Sequence, residues 1–342
     1  MSSLSAIQYD FPLQTLNTFG IAAKAHAYLR VTETEQLFGV YADAIWATSS
    51  KLVLGGGSNL LFTQDFSGLV LHMDLRGREH VRSDDTHHYV RAAAGENWHA
   101  FVQWTLVHGY AGLENLSLIP GTAGAAPIQN IGAYGIEIKD VLHSVTVFDA
   151  ASQSTREMLA AECRFGYRDS IFKQPEGRDL IVLDVTFALP RAWQPNLRYA
   201  ELAQAVAQQN LATPTAQQVA DTVIAIRRRK LPDPAQIGNA GSFFKNPVVS
   251  GAQCAALLEQ FPTLVHHRQP DGSEKLAAGW LIDQCGWKGR TLGAAGVYPK
   301  QALVLVNQGG ATGAEVVALA RAIQADVQAR YGVLLEPEPV FI

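Results

Sequence analysis

Residues 120–135, Pro120-Gly121-Thr122-Ala123-Gly124-Ala125-Ala126-Pro127-Ile128-Gln129-Asn130-Ile131-Gly132-Ala133-Tyr134-Gly135, constrain the fold more than any other stretch of the chain. Two prolines and four glycines here rule out a long helix or a central strand. The segment is therefore a loop region with room for a single helical turn. A loop this long with little regular structure is more often functional than not. Its small residues would let the backbone approach a flat ring system or a phosphate. A Gly-rich interdomain connection is the other reading, and the residues alone leave both open.

The chain has 342 residues, more than one compact core usually holds, so two or three domains are expected. Leu231-Pro232-Asp233-Pro234 reads as a hinge, since two prolines in four residues fit neither helix nor central strand. Ahead of it, Ala27–Val31, Lys51–Leu54 and a run starting at Gly68–Leu71 read as strands. Thr32-Glu33-Thr34-Glu35 has the spacing of a capping box before a helix reaching about Ala47. Tyr89–Ala94, Val141–Phe148 and Leu180–Leu189 read as strands. Trp98–His108 reads as a helix, and 201–229 as mostly helical with a break near Pro214. Past the hinge, helices are expected near Gln253–Gln260, Ala277–Cys285 and Thr312–Arg330, with a strand at Leu303–Asn307 and an extended tail from Val333 to Ile342.

A net charge of −4 disfavours blanket nucleic-acid binding, which needs a basic face. The basic run Arg227-Arg228-Arg229-Lys230 is short and fits a solvated helix end. Cys163, Cys254 and Cys285 are odd in number and lack CxxC spacing, so neither a disulfide framework nor a metal site is expected. His87-His88 and His266-His267 fit solvated loops. No signal peptide and no membrane-length apolar run is visible, and a cytoplasmic location is expected.

Gly55-Gly56-Gly57-Ser58-Asn59 follows a strand, yet it is neither a phosphate-binding Gly-Lys-Ser/Thr loop nor a complete dinucleotide fingerprint. It is either a cradle of N–H groups for an anion or a tight connection, and the two readings stand level. Arg164-Phe165-Gly166-Tyr167-Arg168-Asp169-Ser170 gathers two arginines suited to carboxylate recognition, or to a structural Arg–Asp pair. Gly238-Asn239-Ala240-Gly241-Ser242-Phe243-Phe244-Lys245-Asn246-Pro247 sets a hydroxyl, two aromatics, an ammonium and two amides among glycines. That mixture suits a site better than a core. Taken alone, a Gly-rich turn before a helix is as good a reading.

These motifs, in this order, resemble those of the flavin-dependent UDP-N-acetylenolpyruvoylglucosamine reductases of peptidoglycan precursor synthesis, from Asn17-Thr18-Phe19-Gly20 almost to the C-terminus. The resemblance implies an α+β protein of three domains. Residues 1–78 and 79–231 would form a vanillyl-alcohol-oxidase-type (PCMH-like) FAD-binding unit and 232–331 a substrate-binding domain, with the tail 332–342 returning near the active site. It implies bound FAD, NADPH as co-substrate, and transfer of hydride from flavin N5 to the enolpyruvyl group of a UDP-sugar. Ser242 would supply the proton, and Arg168 and Glu338 would stabilise the enolate-like charge. Tyr199, Lys230, Asn246, Gln301 and Tyr167 would contact the substrate, Tyr199 as the lid tyrosine of one subclass. Gly55, Gly56, Gly57, Ser58, Asn59, Pro120, Gly121, Gly124, Ala125, Gln129, Asn130, Gly132, Tyr134 and Arg227 would hold FAD. NADPH has no visible site of its own and would share the substrate cleft. A monomer without nucleic-acid or membrane partners is expected. The alternatives are another FAD-dependent oxidase of the same fold and a non-catalytic nucleotide-sugar-binding protein. The resemblance places Glu338 close to the end of the chain, with no tail to help hold it.

Overall fold

The structure is a computed structural model that describes residues 3–209 and 213–342. Residues 210–212, part of the stretch expected to be helical, lie outside it. The fold is α+β and has two compact units. The first comprises Met1–Phe11, Ala25–Gly56 and Ser67–Arg229; the second comprises Pro12–Lys24, Gly57–Phe66 and Lys230–Ile342.

The first unit holds the short antiparallel pair Gly132–Ala133 with Ile136–Glu137 and two larger sheets. In one, Gln8–Pro12, Lys24–Val31, Phe66–Met73 and Lys51–Leu54 lie in that order, the last two parallel with Lys51 opposite Leu69. Its apolar face, including Leu29, Val31, Leu69 and Leu71, packs on Leu37 and Val40 of the helix Glu35–Ala42. The other sheet is antiparallel, in the order Ser154–Leu159, Leu142–Asp149, Leu180–Pro190, His87–Ala93 and Arg78–Ser83. Phe101 and Val102 of the helix Trp98–Val107 pack against Val90, Val185 and Phe187 of this sheet, all fully buried. That helix starts at Asn97, whose side chain accepts from the Ala100 N–H at 2.9 Å. The edge strands Arg78–Ser83 and Ser154–Leu159 were not expected, because their exposed polar residues hide the alternation that marks a half-buried strand.

Two local expectations are corrected. The capping box at Thr32–Glu35 does not form. Gln36 Oε1 instead accepts from the N–H groups of Thr32 (2.7 Å) and Glu33 (3.0 Å). The helix ends at Ala42 rather than about Ala47, because Asp43 Oδ1 accepts from the N–H groups of Ile45 and Trp46 and offers the backbone an alternative to the helix.

Asp74 follows the strand Phe66–Met73, and its carboxylate, only 5 % exposed, accepts from Arg30 and Arg76. Burial pushes its pKa up, but the Arg30 hydrogen bond and the Arg76 charge outweigh that, and the net shift is downward. A carboxylate depressed by folding contributes stability above its unfolded pKa and loses it as pH falls through the folded one. Asp74→Asn is therefore expected to cost about 1–2 kcal/mol at neutral pH, less than a fully buried pair because both arginines are more than half exposed. Urea midpoints of variant and wild type should converge as the pH is taken below the ordinary aspartate range.

The second unit contains an antiparallel sheet of Gly238–Ser242, Val304–Asn307, Ala295–Val297 and Thr291–Leu292, and a smaller one of Val248–Val249, Glu274–Leu276 and His266–Arg268. The unit's helices are Gly251–Gln260, Ala278–Gln284 and Gly313–Tyr331, the last packed on the larger sheet. The last helix opens with a capping box, Thr312 to Glu315, and closes on Gly332 at φ +64°. Both histidine pairs lie in strands, His87–Ala93 and His266–Arg268, and not in loops.

Candidate functional site

In the first unit, Gly55 and Gly56 end a strand directly against the loop 120–124. A Cβ on Gly55 would stand 2.6 Å from Thr122 Oγ1, and one on Gly56 would stand 2.8 Å from Gly121 Cα. Only glycine lets the two backbones approach this closely. The 120–124 loop is pinned from behind: Trp98 N–H donates to Gly121 O, Ala123 N–H to Glu96 O and Gly124 N–H to Ala94 O. Residues Ala123–Ala125 make the expected single turn.

This unit also contains buried polar atoms that the protein leaves unpaired. Among the described residues, Thr122 Oγ1, Ser117 Oγ, Asn115 Oδ1 and Arg227 Nε have no hydrogen-bond partner. Each such atom costs about 1–3 kcal/mol unless a ligand or water meets it. Arg228 and Arg229 are exposed, as expected of a solvated helix end, while Arg227 beside them is half-buried with its Nε out of reach of solvent. Burial pulls its pKa down, and Tyr134 opposes this through its charge and a hydrogen bond. Tyr134 in turn is pushed up to about 12 by burial. Asn115 Nδ2 donates to Tyr134 O at 2.7 Å, so the orphaned atoms of Asn115 and Arg227 flank one tyrosine. A glycine cradle and unpaired buried donors and acceptors fit a bound polar ring system such as the expected flavin.

Asn130 is fully buried, and its side chain is engaged within the protein. Its Nδ2 donates to Glu137 Oε2 and Gly166 O, and its Oδ1 accepts from the Lys139 N–H. It thereby ties the glycine loop to the next motif. That motif is a tight reversal in which Gly166 and Asp169 exchange backbone hydrogen bonds at 2.9 and 3.3 Å. Tyr167 and Arg168 form its tip. Arg168 has φ +54°, a conformation that glycine or asparagine ordinarily fills, and it donates to Gly132 O at 3.1 Å. Asp169 accepts from Gln174 Nε2 through both carboxylate oxygens. Tyr199 starts the helix Ala200–Ala207, is 44 % exposed, and meets Tyr134 edge-on at 5.2 Å.

In the second unit, the strand Gly238–Ser242 carries a bulge. Asn239 pairs with Val306 and Ser242 with Val304, so Ala240 and Gly241 are accommodated against a single step of the partner. Asn239, buried, holds the bulge by accepting from the Gly241 N–H at 2.9 Å, and Gly241 takes φ +70°. Bulges of this kind re-aim a side chain, and the one redirected here is the exposed Ser242. The Gly-rich segment is thus a strand and not a turn before a helix. Its two aromatics belong to the core after all: Phe243 and Phe244 are 0 and 1 % exposed.

The backbone beyond Ser242 pairs with the C-terminal tail. Glu338 N–H donates to Phe243 O at 2.8 Å, Phe244 bridges to Pro337, and Lys245 N–H donates to Glu336 O. Glu338 is therefore fixed close to Ser242 along adjacent backbones. It is also held from the other side, which corrects the expectation of an unsupported glutamate. Asn59 Nδ2 donates to Glu338 O, Val340–Phe341 pairs in parallel with Leu60–Leu61, and Thr63 N–H donates to Ile342 O. Gly57, at φ +60°, backs onto Leu16, where a Cβ would stand 2.0 Å from the carbonyl oxygen. Asn246 Oδ1 accepts from Ala278 N–H, and Gln301 Oε1 accepts from Leu303 N–H. Lys230 is the last residue of the helix Ala216–Lys230. Sequence reasoning missed the roles of Asn239, whose place beside Gly238 in a motif was a signal, and of Asn115, which stands outside the motifs.

The family model "UDP-N-acetylenolpyruvoylglucosamine reductase, C-terminal domain" matches residues 233–342, and an "FAD binding domain" model matches 25–156. A UDP-N-acetylenolpyruvoylglucosamine reductase of Paraburkholderia phymatum is 58% identical over 97% of this chain and 96% of its own length. One of Burkholderia lata is 57% identical over 99% of this chain and 97% of its own. Among solved structures, a UDP-N-acetylenolpyruvylglucosamine reductase of Thermus caldophilus superposes with a TM-score of 0.66 at 26% identity, covering 98% and 97% of the two chains. The chain belongs to the UDP-N-acetylenolpyruvoylglucosamine reductase family, FAD-dependent oxidoreductases of peptidoglycan precursor synthesis.

Proposed function

We propose that this chain reduces the enolpyruvyl group of UDP-N-acetylglucosamine enolpyruvate, giving UDP-N-acetylmuramate, with NADPH as electron source. FAD, when bound, would supply the hydride chemistry that links NADPH oxidation to reduction of the enolpyruvyl group. The observation that carries the reading is the bulge that presents Ser242, with Glu338 locked on the neighbouring backbone. Ser242 gives its hydroxyl proton to the carbon beside the substrate carboxylate. Arg168 and Glu338 stabilise the charge that builds there, the kind of preorganised term that usually contributes most to catalysis. Glu338 acts protonated or in a shared hydrogen bond, because two bare carboxylates repel.

Lys230 meets the diphosphate as a point charge. Asn246 and Gln301 have their side-chain oxygens engaged with Ala278 and Leu303, so each turns its amide NH2 to the substrate as a donor. Tyr167 and Tyr199 complete recognition, Tyr199 as a lid. The cofactor is held by Gly55–Asn59, by Pro120, Gly121, Gly124, Ala125, Gln129, Gly132 and Tyr134, and by Arg227, with Asn130 shaping the loop. The two larger sheets of the first unit are read as marking the two FAD-binding subdomains, 1–78 and 79–231. NADPH uses the substrate's cleft, so initial-rate lines should run parallel; converging lines would overturn that. The enzyme acts as a cytoplasmic monomer.

The test is the visible spectrum under anaerobic conditions, with NADPH added first and the enolpyruvate second. Bleaching followed by return of the yellow colour supports the reading. Colour that returns only with air would remove the substrate and leave an oxidase. The Gly56–Gly121 approach adds a second test. Gly56→Ala should part the loops and weaken flavin retention about ten- to a hundredfold, the equivalent of one hydrogen bond to a charged group. Flavin fluorescence released on dilution measures it.

A further inference from the structure

We propose that Cys254, His266 and Glu274 form a binding site for a thiophilic divalent cation, with Zn2+ the ion their donor set favours. The three come from separate elements of the second unit. Cys254 lies one turn into the helix Gly251–Gln260, which Ser250 caps by accepting from Gln253 N–H at 3.1 Å. His266 and Glu274 lie on neighbouring antiparallel strands, with His266 opposite Leu276 and Arg268 opposite Glu274. That two-residue offset puts both side chains on one face of the hairpin. One donor atom from each residue, sulfur, imidazole nitrogen and carboxylate oxygen, lies within 4.8 Å of the others.

Donors around one tetrahedral zinc lie roughly 3.3–3.7 Å apart, given bonds of about 2.0–2.3 Å. The site therefore needs only side-chain adjustment. His266 Nδ1 and Glu274 Oε2 are now 2.8 Å apart and part slightly when a cation takes the place of their shared proton. Thiolate with imidazole and carboxylate is a borderline-soft set that suits zinc and disfavours magnesium or calcium. Cys254 and the Glu274 side chain are 2 and 13 % exposed while the His266 side chain is 34 % exposed, so an ion enters past the histidine and water fills the fourth position. The same small sheet receives Val248–Val249, just after Asn246 and Pro247, and Leu276 N–H donates to Pro247 O. A bound cation would thus tie the helix to the hairpin that supports Asn246.

The test uses the untagged, flavin-containing full chain, stripped with a chelator and then given equimolar Zn2+ or Co2+. The expected result is one zinc per chain after desalting, a raised thermal midpoint, and a thiolate-to-cobalt charge-transfer band in the difference spectrum. Cys254→Ala and Glu274→Gln should bind zinc roughly a hundredfold more weakly or worse, since loss of even an outer-shell partner costs up to that much. Wild type that retains no zinc, cobalt uptake without a thiolate band, or equal uptake by Cys254→Ala would each overturn the proposal. The cobalt spectrum of the wild type decides the matter even if a variant fails to fold.

Discussion

Replacing Ser242 by alanine is expected to leave reduction of the flavin by NADPH intact and to slow its reoxidation by the enolpyruvyl substrate about 10²–10⁴-fold, the usual contribution of a positioned proton donor. The two half-reactions separate because proton delivery belongs only to the second. The fold gives the substitution little else to disturb. Ser242 is exposed, and the bulge that aims it is held by the Asn239 side chain and by Gly241 at φ +70°. Stability should therefore stay within about 0.5 kcal/mol of wild type, as for other surface changes. Anaerobic stopped-flow measurement of each half-reaction, with a thermal melt as control, reads the result. Loss of both half-reactions would show that Ser242 shapes the cofactor site instead, and an unchanged second half-reaction would remove it as the proton donor.

The second large effect concerns Arg168. Arg168→Gly should lower the rate of the substrate half-reaction about 10²–10³-fold, the range seen when one preorganised charge-stabilising donor is removed. Its effect on stability should be small, within about 1 kcal/mol. Glycine occupies φ +54° without the steric cost that arginine bears, and this offsets the lost hydrogen bond to Gly132 O. A side chain kept in a strained conformation, with little stability at stake, is what a functional constraint predicts. Arg168→Lys should restore little, because an ammonium cannot reproduce the planar fork that matches a carboxylate. A loss of more than about 3 kcal/mol in Arg168→Gly would instead make the residue a structural tie between the two loops.

Much of the scaffold was legible in the chain. The strand Leu180–Pro190 and the helix Trp98–Val107 carry their periodicity openly, because one face or both are buried, and Lys51–Leu54 is marked by its apolar run. The thresholds of the glycine motifs were legible too, since only glycine and proline report backbone conformation directly. The edge strands Arg78–Ser83 and Ser154–Leu159 were not, because an exposed edge places no demand on side-chain pattern. Phe243 and Phe244 looked like site residues by their neighbours and proved to be core.

What the sequence determined by itself is the set of motifs, their order and the chemistry they can carry, because short-range backbone preferences and side-chain functional groups are written residue by residue. What only the tertiary structure decided is which of those groups meet. Glu338 reaches Phe243 across nearly a hundred residues through strand pairing, Asn59 holds it from the far side, and Cys254, His266 and Glu274 converge from a helix and a hairpin. Such meetings are set by long-range pairing and packing, whose energy depends on the whole fold and leaves no local trace in the chain.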